Sequence, residues 1–138
     1  MIPVAEKPEY PDFHVDVRQP GVTFLGVTPS PNHRDFRKHD YWRRSKPHLE
    51  RAYDGYCAYT ANFLVSDSSV DHFIPKSKSP HLAYEWTNFR LCDPRVNGWK
   101  KDKLIVVDPF AIDRGWFVIE FPECVVKPNA NLNSILKN

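Results

Sequence analysis

Asp71 and His72 stand side by side inside the strand-like run SSVDHFIP. Ionisable groups in an apolar run must be desolvated, paired or bound, because a lone buried charge is expensive. An imidazole that titrates near neutrality suits a general base. A carboxylate suits a hard divalent cation. The pair therefore reads in one of two ways. It is half of a metal-dependent active site, or Asp71 caps a turn and His72 faces water.

The next polar residues keep a defined order. Asn88 lies sixteen residues after His72, Asn97 nine further on, and Lys100 and Lys101 close behind. Local pattern indicates the elements that must position them. GYCAYTANFLV, after Gly55, reads as a strand or hairpin rich in aromatic and small residues. SSVDHFIP is a second extended run, ending at Pro75. KSKSPHLAYEW is a loop, since Pro80 and two serines break any period. NFRL is a short strand. In CDPRVNGWKKDK, Asp93 is a good N-cap and Pro94 a good first helical residue. A helix is expected from there to about Lys103, with Gly98 costing it about 1 kcal/mol against Ala. Asn97 then faces out of the first turn, and one of Lys100 and Lys101 shares its face. Strand, loop, strand and helix make a ββα unit in which the polar residues converge. Successive strand residues point to opposite sides, so a bulge or twist is expected where Asp71 and His72 serve one site.

The flanks are less regular. Residues 1–32 are Pro-rich and look extended, with a short strand expected at GVTFLGV. Over residues 35–53, Tyr41, Trp42, Leu49, Ala52 and Tyr53 recur at helical spacing, and Pro47 starts a second helical part with Ser45 or Lys46 near its cap. LIVVDPF and GWFVIEF are both β-rich, with a turn at Asp113, Arg114 and Gly115 between them. The tail from Lys127 is expected to be weakly ordered.

Composition bounds the class. The chain has 138 residues, 41% hydrophobic and 14% aromatic, which fits one domain with one core. No run of about 18 apolar residues occurs, so no membrane span is expected. MIPVAEKPEYPDFH lacks the basic and apolar regions of a secretory signal. Cys57, Cys92 and Cys124 are odd in number and widely spaced, which argues against a disulfide framework and for a reducing cytoplasm. Cys124 reads as a buried thiol. The net charge of +2 hides a pattern: residues 33–51 and 76–103 each carry net +4, and residues 52–75, which include Asp71, carry net −3. A cation site between basic walls is what a phosphodiester needs, although such runs are more often solvated faces.

At these residues the chain resembles the HNH nucleases of the ββα-metal fold. The likeness rests on VDHFIPKS, YEWTNFRL and the N-x-x-K that follows, and covers residues 52–103. It is similar to the small stand-alone bacterial or phage type. The resemblance implies an α+β fold in one domain over 1–138. Residues 1–51 would be an N-terminal extension with a basic helix, 52–103 the core, and 104–138 a β-rich flank. It implies His72 as general base and Asp71 with Asn97 as ligands of Mg²⁺ or Mn²⁺. Asn88 would clamp the loop that orients His72. Arg95, Lys100, Lys101, Lys76 and Arg90 would contact phosphates.

Many members carry two Cys-x-x-Cys pairs that bind a structural zinc. Here the corresponding places read CAYT and CDPRVN, so no structural zinc is expected, and Tyr56, Tyr59, Trp86 and Trp99 would pack in its stead. A site shared by Cys57, Cys92 and His81 is a minor alternative. Trp42 and Trp99 read as core, and Arg34, Arg37, Arg43 and Arg44 read either as a solvated helix face, slightly favoured, or as a track for a nucleic-acid backbone. The implied function is a metal-dependent endonuclease that hydrolyses DNA, with DNA as partner and a further protein for targeting or activation. By analogy it belongs to a defence or mobile-element system. The alternatives are a non-cleaving nucleic-acid-binding or assembly module, and a ribonuclease using the same site.

Overall fold

The computed structural model describes residues 4–104, 107–123 and 125–131. It is a mixed α and β structure with two small antiparallel sheets. The elements run α1 (Gln19–Val27), α2 (His33–Lys38), α3 (Lys46–Ala52), β1 (Ser69–His72), β2 (Phe89–Cys92), α4 (Pro94–Lys100), β3 (Phe117–Glu120) and β4 (Val125–Pro128). No helix among the described residues is long and apolar enough to cross a membrane.

The N-terminal third is helical where a strand was expected. GVTFLGV lies within α1, which follows a π-helical turn at His14–Arg18. Its β-branched residues favour strands only weakly, and tertiary packing overrides them. Phe24 is buried against Phe36 and Tyr84. Gly21 lets α1 approach closely, because a Cβ there would stand 2.1 Å from the Tyr84 ring. Asn32 caps α2 with a complete capping box, its side chain accepting from the amides of Arg34 and Asp35. A 3₁₀ turn at Tyr41–Ser45 leads into α3, which has Ser45 as N-cap residue and a proline in its first turn.

Of these, α3 and the 3₁₀ turn pack on the sheet of β1 and β2. The core gathers Phe13, Val17, Leu49, Trp86, Phe89 and Leu91 with Trp42 and Tyr84. Trp99, expected in the core, is 73% exposed on α4. Tyr56 is also exposed, so of the four aromatics expected to replace a zinc site only Trp86 joins the core cluster.

β1 and β2 pair in the register Ser69↔Cys92, Val70↔Leu91, Asp71↔Arg90 and His72↔Phe89. No extra residue is inserted, so the expected bulge is absent. Alternation is kept, and both faces of β1 are covered instead. Val70 and His72 meet the aromatic core, whereas Ser69 and Asp71 meet α4 and Tyr59. GYCAYTANFLV forms turns with one isolated bridge, Tyr56↔Phe63, rather than a full hairpin.

Asp93 caps α4 by accepting from the amide of Arg95. The helix stops at Lys100, three residues earlier than expected, because Lys101 turns to φ 48°. β3 pairs with β4 in the register Phe117↔Pro128 to Glu120↔Val125. At the end of LIVVDPF, Pro109–Ala111 forms a 3₁₀ turn, and residues 105 and 106 lie outside the described residues. Cys124 and most of the expected weakly ordered tail also lie outside them, although Lys127 and Pro128 belong to β4.

Gly21→Ala should lower stability by about 2 kcal/mol in urea unfolding. The clash with Tyr84 outweighs the gain of about 1 kcal/mol in helix propensity. An unchanged or raised midpoint would show that Tyr84 yields freely.

Candidate functional site

Asp71 is 3% exposed at the centre of the strand pair. Tyr59 donates its hydroxyl to Asp71 Oδ2 at 2.5 Å. Lys100 Nζ donates to Asp71 Oδ1 at 3.2 Å and to the His72 carbonyl at 2.6 Å. Burial pushes the Asp71 carboxyl above its usual range, and these two partners oppose that shift. The Asp71–Lys100 side chains are only 3% and 2% exposed, so the pair is an interior ion pair. The expectation that Lys100 contacts phosphate is therefore corrected. Its side chain is buried on the β1 side of α4, and its charge is spent on Asp71 and one carbonyl.

His72 is equally enclosed, at 5% exposure. Its ring stands edge-on to Trp42 and Phe89, with centroids 5.0 and 5.3 Å away. Nε2 lies 2.9 Å from the Ala83 carbonyl. A carbonyl only accepts, so Nε2 carries the proton and Nδ1 keeps a free lone pair. Burial first, then repulsion from Lys76, brings the imidazole down to about 3. His72 is thus neutral across the physiological range, not poised near 7.

Asn88 holds the loop after β1. Its Oδ1 accepts from the Ile74 amide at 2.8 Å, and its Nδ2 donates to the carbonyls of Ile74 and Leu82 at 3.0 and 3.1 Å. Leu82 precedes Ala83, so the same side chain steadies the carbonyl that sets the His72 tautomer. Asn97 Nδ2 donates to Ser69 Oγ at 3.0 Å and to the Val70 carbonyl at 3.5 Å. Its Oδ1 has no donor among the described residues.

Asp71, His72 and Asn97 line one open cleft of about 1110 Å³. Lys76 and Lys101 line it as well. Arg95 does not. It is exposed on α4 and paired with Asp93 at 3.3 Å. Arg90 also departs from the phosphate role expected of it. It is 2% exposed, forks onto Asp108 at 3.0 and 2.5 Å, and stacks over Phe110 at 3.8 Å. It ties β2 to the segment after α4.

Tyr59 and Ser69 were missed in the sequence. Ser69 could have been found, because it lies two residues before Asp71 on the same strand face. Tyr59 could not, since a turn folds it back from twelve residues away.

The donor set fits a hard divalent ion in type, with a carboxylate from Asp71 and an amide oxygen from Asn97. The place beside Asp71 Oδ1 is held by the Lys100 ammonium. Among the described residues, no group of three or more His, Cys, Asp or Glu side chains could hold a metal. Cys57 and Cys92 do come together. The Asp93 amide donates to Cys57 Sγ at 3.5 Å, and Cys92 Sγ donates to the Asp93 carbonyl at 3.3 Å. The thiol contact draws Cys57 down to about 5 and pushes Cys92 up. No family model, curated protein or solved structure matches the chain.

Lys100→Met leaves Asp71 as an unpaired interior charge and should cost about 3 to 5 kcal/mol in chemical unfolding. Adding Asp71→Asn should recover part of that loss. Additive single effects would mean that the two charges are independent. For His72, the unfolded state binds a proton below its ordinary value of 6.5, whereas the folded state resists until about 3. Stability contributed by the neutral ring is therefore lost as pH falls from 7 towards 3. The contribution at pH 5 is about 2 kcal/mol. Asp71 titrates with the opposite sign, so the test compares wild type with His72→Gln, which keeps Asp71. The melting temperature should fall less between pH 7 and 5 in the variant, and equal falls would rule out a buried neutral imidazole.

Proposed function

We propose that this chain is a phosphodiester hydrolase of the HNH type acting on DNA. The observation that carries the reading is the His72 arrangement. A neutral imidazole, locked by Ala83 into the tautomer with a free Nδ1, lines the same cleft as a carboxylate and an amide oxygen. His72 Nδ1 takes the proton of an attacking water, and the imidazolium formed keeps its Nε2–H on Ala83. The bound phosphate brings negative charge that favours this proton. Asn88 keeps the loop, and hence the ring, in place. Lys101 meets the substrate from the end of α4.

Asp71 and Asn97 would hold Mg²⁺ or Mn²⁺, which supplies charge stabilisation for the phosphoryl oxygens and the leaving oxygen. A cytoplasmic setting, a targeting or activating protein partner, and a role in defence or mobile-element systems belong to the same reading.

One observation favours a second reading. Lys100 already neutralises Asp71, which suits a nucleic-acid-binding or assembly module that does not cut. Ribonuclease activity is a third outcome of the same experiment.

Purified protein should be incubated with supercoiled plasmid, single-stranded DNA and RNA, each with Mg²⁺, Mn²⁺ or EDTA. Metal-dependent nicking of the plasmid is expected, reduced about 10²- to 10⁴-fold in His72→Ala. Asn97→Ala should need more metal for half-maximal rate. Cleavage that survives His72→Ala would remove His72 as the base. Cleavage of RNA alone would replace the DNA reading. Binding without cleavage in every condition would favour the module.

A further inference from the structure

The cleft that holds Asp71 and His72 has more lining than the ββα segment provides. Phe36, Arg37, Trp42, Arg43 and Lys46 contribute to it from α2, the 3₁₀ turn and the start of α3. Two of these cations are occupied, Arg43 with Asp40 at 2.9 Å and Lys46 with Asp67 at 2.8 Å. Arg37, Lys76 and Lys101 have no carboxylate partner among the described residues.

Lys76 is set apart from the other two by its enclosure. It is half-buried, and its ammonium stands 5.0 Å from the Trp42 ring centroid and 5.8 Å from that of Phe36. Ring faces attract a cation but do not neutralise it. The nearby carboxylate, Asp71, is already held by Lys100 and Tyr59. A cation that has lost water and gained no anion is costly in the free protein. Its cost is relieved by a ligand that brings negative charge into the cleft. The three unpaired cations sit on separate elements, α2, the loop after β1 and the end of α4. Such spacing suits an extended polyanion better than a single small anion.

We propose that Lys76, seated on the Phe36–Trp42 shelf and joined by Arg37, grips a phosphate of a bound nucleic-acid strand, so that residues 33–46 form a second wall of the substrate site. This rests on the phosphodiester reading of the cleft. It gives the N-terminal segment a direct part in substrate binding, which its charge pattern alone does not.

The test is binding of a short labelled DNA duplex in EDTA, followed by fluorescence anisotropy over a range of salt. Lys76→Met should bind about tenfold more weakly than wild type, with a salt slope smaller in magnitude by about 1. Lys76→Arg should restore most of the affinity, and Lys38→Met, outside the cleft lining, should change nothing. A parallel measurement needs no variant: bound duplex should protect Lys76 of the wild type from acetylation, read by mass spectrometry, whereas excess inorganic phosphate should not. Equal affinity and slope for wild type and Lys76→Met would overturn the proposal, as would an unprotected Lys76 or a wild type that binds no duplex. Protection by inorganic phosphate alone would replace the strand with a small anion. Binding through Lys76 without any cleavage would sink the hydrolase reading and leave this one standing.

Discussion

Two opposite charges lie side by side in the interior, and the rest of the site is arranged around keeping them there. Asp71 is held by Lys100 from α4 and by Tyr59 from the turn before β1. Lys100 also reaches the His72 carbonyl, so one ammonium joins the helix to the end of the strand. A buried pair of this kind gives little net stability against apolar residues, but removing either partner is expensive. It therefore fixes the placement of α4 on β1 more than it strengthens the fold. Ser69 and Asn97 repeat the link one step along the same strand face.

The opposite face of β1 is governed by aromatic packing. His72 lies between Trp42 and Phe89, and its remaining polar need is met by Ala83. That carbonyl is in turn kept in position by Asn88 through Leu82. The consequence is an imidazole whose tautomer and orientation are fixed by the fold itself, which is the preorganisation that the proposed base would need. Burial keeps the ring neutral near pH 7. In the same cleft, Lys76 and Arg37 offer the positive charge that the Asp71–Lys100 pair, being self-neutralised, does not.

Much of this was legible in the sequence. Alternation and turn residues placed β1 and β2, Asp93 and Pro94 placed the start of α4, and the spacing of Asp71, His72, Asn88 and Asn97 singled out the residues that line or support the cleft. These signals are local, because capping, strand alternation and turn chemistry act within a few residues. GVTFLGV failed as a strand because its fate depends on Tyr84, more than fifty residues away. Lys100 and Arg90 failed as surface cations for the same reason, since a lysine or arginine carries no mark of the carboxylate it will meet.

What the sequence by itself determined was the ordered set of chemical groups and the short elements that carry them. Only the tertiary structure decided which charges are spent and which are free. Lys100 is neutralised by Asp71 and Arg90 by Asp108, while Lys76 stands over aromatic rings with no ion-pair partner among the described residues. The reason is physical: a charge is worth what its surroundings make of it, and those surroundings come from parts of the chain that local pattern does not connect.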